Sequence, residues 1–153
     1  GDPRFSNIRR TQKDIIFAWT KKEYSNLART REAGLPYPEP FAFDRNILIM
    51  EFLGENGIPY QQMRQKLPKS PEETYQEVVG LIRDLYQKAR LVHGDLSEYN
   101  ILTSPDGLIL IDMAQAVTPE HSPTTSCSAT LATLTDFLQQ NAKQPTNMNY
   151  SAT

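Results

Sequence analysis

Leu91-Val92-His93-Gly94-Asp95-Leu96-Ser97-Glu98-Tyr99-Asn100-Ile101-Leu102 is the stretch on which the reading of this chain turns, and Leu110-Ile111-Asp112 answers it ten residues later. The pattern sets a carboxylate in a loop at Asp95, an amide five residues on at Asn100, and a second carboxylate at Asp112, where the next short apolar run ends. Magnesium takes hard oxygen ligands and keeps several waters, so one amide and one carboxylate suffice beside a phosphate chain. A further carboxylate can orient a hydroxyl and accept its proton late in a displacement at phosphorus. Such chemistry needs little covalent help and mostly charge neutralisation and alignment. The bland reading stands beside it: Asp95 a turn acid, Asn100 a strand-entry residue, Asp112 a helix cap for the segment after it. His93 reads as a hydrogen-bonder propping the loop rather than a proton carrier, with a partner the sequence does not show.

The flanks support the combination. Ser70-Pro71-Glu72-Glu73 is a helix start, with Ser70 as cap, Pro71 at the first position and Glu73 closing a capping box. Tyr75, Val78, Val79, Ile82, Leu85, Tyr86 and Ala89 then form a helical stripe that ends where the signature begins. After Asn100, Ile101-Leu102-Thr103 and Leu108-Ile109-Leu110-Ile111 predict two strands around the turn Ser104-Pro105-Asp106-Gly107. Antiparallel pairing would bring Asn100 and Asp112 together, as two ligands of one cation require.

Upstream, Gly1 to Arg10 reads as a polar lead-in, and a helix is predicted from about Gln12 to Ala33, stopped by Gly34 and Pro36. Ile16, Trp19 and Leu27 fall at helical steps only if Glu23 is counted among them. Glu23 is then either a stripe-edge acid reaching water or an inward carboxylate waiting for a buried cation. Pro36, Pro38 and Pro40 force extended chain. Phe41-Ala42-Phe43 and Ile47 to Leu53 predict two strands joined by Asp44-Arg45-Asn46, the second apolar enough to be buried on both faces. Gly54-Glu55-Asn56-Gly57 breaks it, either as a plain hairpin loop or as a crossover whose exposed backbone could bind a base. Ile58 to Lys69 is expected to be a short connector, helical in part. Leu131, Leu134, Phe137 and Leu138 predict one closing helix, and the polar stretch from Asn141 a frayed tail.

At 153 residues the chain is one domain or part of one, long enough to bury roughly two thirds of its unfolded surface. A net charge of -2 excludes a general field for nucleic acid or anionic lipid, and there is no direct nucleic-acid motif. One cysteine, Cys127, excludes an intrachain disulfide and a thiolate zinc site. No apolar run reaches the ~18 residues of a membrane span. A cytoplasmic protein is expected.

His93-Gly94-Asp95-Leu96-Ser97-Glu98-Tyr99-Asn100 with Ile111-Asp112-Met113-Ala114-Gln115-Ala116-Val117 resembles the RIO family of atypical serine/threonine protein kinases, type-1 subfamily. Gly1-Asp2-Pro3-Arg4-Phe5, Trp19 to Leu27, Pro38-Glu39-Pro40 and Met50-Glu51-Phe52-Leu53-Gly54 extend the resemblance in the family's order over residues 1 to about 117. It implies an α+β, two-lobed protein-kinase-like fold. Residues 1-53 would be the remainder of the small lobe and the hinge strand, 54-140 the large lobe and 141-153 a tail. It implies Asp95 as catalytic aspartate, Asn100 and Asp112 as metal ligands, and Asp112 as the acid transiently phosphorylated during ATPase turnover. Glu23 would pair the nucleotide-binding lysine, Met50 would be the gatekeeper, Glu51 and Leu53 would offer hinge backbone to adenine, and Leu102 would lie beneath it. ATP, Mg2+ (or Mn2+) and a small ribosomal subunit precursor are the implied ligands and partner. Ser97 stands where ordinary kinases usually carry a lysine.

The departures are as plain. No glycine-rich phosphate loop exists, and no lysine-bearing strand precedes Glu23. The small lobe is therefore expected to be truncated at its N-terminus and the chain inactive on its own. Pro123-Thr124-Thr125-Ser126-Cys127 replaces the charged helix the family usually shows after His121. Small-molecule kinases of the aminoglycoside and choline type also use His-Gly-Asp-Leu, but usually with His-Pro-Gly before the Asn. A kinase-fold binding module without catalysis is the third reading, favoured by the missing lysine and opposed by the intact Asp95, Asn100 and Asp112.

Overall fold

The computed structural model describes residues 12–65, 70–121, 132 and 135–140. Helix α1 spans Gln12–Glu32 and ends where Gly34 enters the left-handed region at φ +69°. Gly34 N donates to Arg31 O (2.9 Å) and Leu35 N to Thr30 O (3.1 Å), the paired bonds by which a glycine closes a helix. The stripe predicted for α1 is buried only in its second half. Leu27 is enclosed, whereas Ile16 is 41% and Trp19 61% exposed. Thr20 and Thr30 take inward positions instead, each returning its hydroxyl to the helix backbone, at Ile16 O and Leu27 O.

Strands β1 (Pro40–Asp44) and β2 (Ile47–Met50) pair antiparallel with Asp44 opposite Ile47, so the turn proper is Arg45-Asn46. The expectation that the second run is buried on both faces is wrong, and the strand stops at Met50 rather than Leu53. Ile47 and Ile49 are 58% and 54% exposed, because this is a two-stranded sheet whose main cover is α1. Leu48 alone packs on the core, and the Tyr24 and Phe43 rings meet at 4.8 Å between helix and sheet.

Residues 58–65 are not helical, contrary to expectation, and residues 66–69 lie outside the described residues. Gly54–Glu55 (β3) and Ile58–Pro59 (β4) close a tight hairpin around Asn56-Gly57, both at positive φ, the pair such a turn demands. Gln61–Gln62 (β5) then joins the edge of a three-stranded sheet, so a connector that lacks helical apolar periodicity finds its backbone partners across the chain.

Helix α2 spans Pro71–Lys88, with Ser70 Oγ accepting from Glu73 N at 3.3 Å. Val78, Leu85 and Ala89 are buried, with Tyr75 and Ile82 beside them, while Tyr86 lies exposed under the Arg90 guanidinium. The expected antiparallel hairpin forms from β6 (Ile101–Ser104) and β7 (Gly107–Leu110), with Ile101 opposite Leu110. Leu108 N donates to Glu77 Oε1 at 2.7 Å and fastens α2 to β7. Ile101, Leu110, Met63, Leu91, Met113 and Ala116 make the centre of the core, each large side chain contributing about 1.5–3 kcal/mol by burial. Residues 135–140 are helical and set Leu138 into that core. The lead-in 1–10, Leu131, Leu134, the 123–127 stretch and the tail from 141 lie outside the described residues.

Candidate active site

The loop that carries Asp95 is built by a sequence of backbone commitments. After α2, Arg90 turns through φ +54° and Leu91 N donates to Leu85 O (3.2 Å), which reverses the chain. Val92 and Val117 then exchange both backbone bonds (2.8 and 2.9 Å), joining the stretch before Asp95 to the stretch after Asp112. His93 is buried, and its Nε2 lies 2.9 Å from Ile111 O, the partner the sequence could not name. Burial lowers its pKa, opposed by that bond and by the Asp112 and Asp95 charges, so the ring is neutral and Nε2–H donates. Nδ1 is buried without a hydrogen-bond partner among the described residues.

Gly94 follows at φ +82°, and a Cβ there would stand 2.7 Å from Gln115 O. Both the conformation and the contact demand glycine. Leu96 is plugged into the core, which leaves Asp95 exposed at the loop's crest. Asn100 Nδ2 donates to Asp95 O at 2.8 Å, and Asn100 N to Ser97 O at 3.0 Å, so the loop closes on itself. With its nitrogen so committed, the Asn100 side chain keeps Oδ1 for another ligand.

Across the hairpin, Ile111 N donates to Asn100 O at 3.0 Å, which brings Asn100 and Asp112 to one end as the strand pairing requires. Asp112 itself sits at φ +62°, a strained conformation for a residue with a side chain. Its Oδ1 accepts from Ala114 N at 3.4 Å and the side chain is otherwise exposed. Glu23 on α1 is half-buried, and its pKa is raised first by burial and then by the Asp112 charge. Two acids thus face one region, and among the described residues no Lys or Arg pairs with Glu23.

The remaining expected residues sit on β2, on the segment after it and on β6. Met50 ends β2 half-exposed, and Leu102 is buried in β6 opposite Ile109. Glu51 N donates to Glu39 O (2.8 Å) and Leu53 O accepts from Tyr60 N (3.0 Å). Glu51 O and Leu53 N make no hydrogen bond among the described residues. Glu51 and Leu53 line a cleft of about 290 Å³ with Tyr60 and Ile109; neither Met50 nor Leu102 reaches it.

Sequence reasoning missed Asn26. Its Nδ2 donates to Met113 O (2.8 Å) and Ala116 O (3.2 Å), tying α1 to the segment behind Asp112. The available signal was its place three residues after Glu23, on the same helix face. Gln115 belongs to a motif of the sequence but had no part there; its Nε2 reaches Asp95 Oδ2 at 3.4 Å.

Comparison with known proteins gives the fold and the family. Solved structures of the Rio2 kinase from Chaetomium thermophilum superpose with a TM-score of 0.75 at 22% and 24% identity. The first covers 99% of this chain and 48% of its own, so the fold is protein-kinase-like. The RIO-type serine/threonine-protein kinases Rio1 of Haloferax volcanii and Thermoplasma acidophilum are each 40% identical over 121 residues, 79% of this chain. The chain spans 41% of the first and 63% of the second, less than two thirds of either. The family model described as RIO domain matches residues 1–146, and the chain therefore belongs to the RIO domain family.

Proposed function

We propose that this chain carries the catalytic side of an ATP-dependent phosphotransferase, a RIO-type serine/threonine kinase or ATPase. The observation that carries the reading is the convergence of Asp95, Asn100 and Asp112 on one end of the β6–β7 hairpin, locked by Asn100 Nδ2 to Asp95 O and Ile111 N to Asn100 O. Asp95 orients the acceptor hydroxyl and takes its proton as the acceptor oxygen bonds to the terminal phosphorus and the bond to the departing ADP oxygen breaks. Asn100 Oδ1 and the Asp112 carboxylate would hold Mg2+ or Mn2+. Such an ion, when bound, neutralises phosphate charge and aligns the transferred group.

The donor set fits that ion. Asp112 is exposed and Asn100 keeps an oxygen free. Among the described residues no three His, Cys, Asp or Glu side chains form a closed metal site. The remaining ligands would come from water and phosphate, as magnesium prefers. Glu51 O and Leu53 N supply one acceptor and one donor to an adenine edge, with Met50 as gatekeeper and Leu102 beneath the ring. By the family resemblance, Glu23 would pair a phosphate-binding lysine. Residues 1–53 would belong to the small lobe and hinge strand and 54–140 to the large lobe.

One solved Rio2 structure is a complex with ADP, Mg2+ and phosphoaspartate. By that likeness Asp112 serves as phosphoryl acceptor when the protein works as an ATPase, and family resemblance extends the role to maturation of the small ribosomal subunit in the cytoplasm. Among the described residues no helix is long and apolar enough to cross a membrane. Asp95→Ala in the full-length protein is expected to lower phosphoryl transfer by about 10²–10⁴-fold. Activity retained by that variant would remove Asp95 from the chemistry.

A further inference from the structure

We propose that Gln115 is a positioning residue for Asp95, held by Asn26 of α1, so that the catalytic carboxylate and α1 are mechanically coupled. The inference rests on the reading of Asp95 given above and concerns how its carboxylate is kept in one orientation. Gln115 Nε2 donates to Asp95 Oδ2 at 3.4 Å, a long contact that would mean little from a free side chain. Its backbone is far from free. Gly94 lies so close to Gln115 O that a Cβ would approach to 2.7 Å, which puts the two loops in contact with no side chain between them. Ala116 N donates to Met113 O at 3.2 Å and closes a turn around Gln115. The Met113 and Ala116 side chains are fully buried on its inner side, and Asn26 Nδ2 bridges their two carbonyls. Val117 is fixed in turn by its ladder pair with Val92.

An exposed glutamine thus projects from a turn pinned by the core, by α1 and by the chain leading to Asp95. A neutral amide at Oδ2 leaves Oδ1 for the acceptor hydroxyl. Unlike a lysine, it does not form an ion pair that would hold down the basicity of the carboxylate. Catalytic contacts are often long without substrate and tighten around it, which suits a 3.4 Å separation. Asn26 shares its helix face with Glu23, so a shift of α1 would move the turn that carries Gln115.

The test is steady-state ATP turnover by the full-length protein with Mg2+, comparing wild type, Gln115→Met, Asn26→Leu, Asp95→Asn and the double variants. Gln115→Met is expected to lower kcat about three- to tenfold, one hydrogen bond's worth, with KM for ATP and thermal midpoint unchanged. In the Asp95→Asn background the same change is expected to have no further effect. Asn26→Leu should lower kcat and midpoint together, and adding Gln115→Met to it should lower kcat no further. Wild-type kcat in Gln115→Met, or an equal loss with and without Asp95, would overturn the proposal while leaving the parent reading intact. Turnover indifferent to Asp95→Asn would remove both.

Discussion

Gly94 shows how one residue can decide a site. At φ +82° and with Gln115 O in the space of a Cβ, it lets the loop bearing Asp95 lie directly on the turn after Asp112. Gly94→Ala is expected to destabilise the fold by about 1–3 kcal/mol, read as a lower midpoint in chemical denaturation. His93 acts from the other side, through Ile111 O. Burial holds its pKa below the ordinary 6.5, so the folded state prefers the neutral ring. The stability linked to this group is present above that unfolded value and is lost as pH falls through the lower folded value. Unfolding free energy is expected to drop between pH 7 and 5 by at most about 1.4 kcal/mol per unit on this account. A His93→Gln variant measured in parallel should lack that component; identical profiles would contradict it. The sequence suggested a propping role for His93 but could not name Ile111, because a contact across 18 positions depends on the hairpin register.

At the scale of elements, legibility followed local chemistry. Helix α2 and the β6–β7 hairpin were readable because a capping serine, a proline at the first position, a clear apolar stripe and a proline-containing turn all act within a few residues. The Ile58 to Gln62 segment was not, since β5 exists only by pairing with β6 about forty positions away, as Gln61 opposite Thr103 records. Leu110 is fully buried at the joint of hairpin and core and stands two residues before Asp112. Leu110→Ala is expected to cost about 2–5 kcal/mol in equilibrium unfolding. A loss below about 1 kcal/mol would mean that the hairpin is not anchored as described.

At the scale of the whole molecule, burial is uneven in a way that composition hid. The half containing α2, β5, β6 and β7 encloses most of its apolar residues, whereas Trp19, Phe41, Ile47, Ile49 and Phe52 on the α1, β1 and β2 side stand exposed. Apolar content predicted two-sided burial for Ile47 to Leu53, but burial depends on what packs there, which composition does not report. The acid, amide and acid of the candidate site were legible from spacing, while the Asn26 and Gln115 contacts that brace them were not. The most direct test of the central claim is a calorimetric titration of ATP into the protein with Mg2+ and again with excess chelator, for wild type and Asp112→Ala. The expected result is binding that requires Mg2+ in the wild type and is lost in the variant. Affinity unchanged by chelator and by Asp112→Ala would contradict the assignment of a nucleotide–metal site to this hairpin.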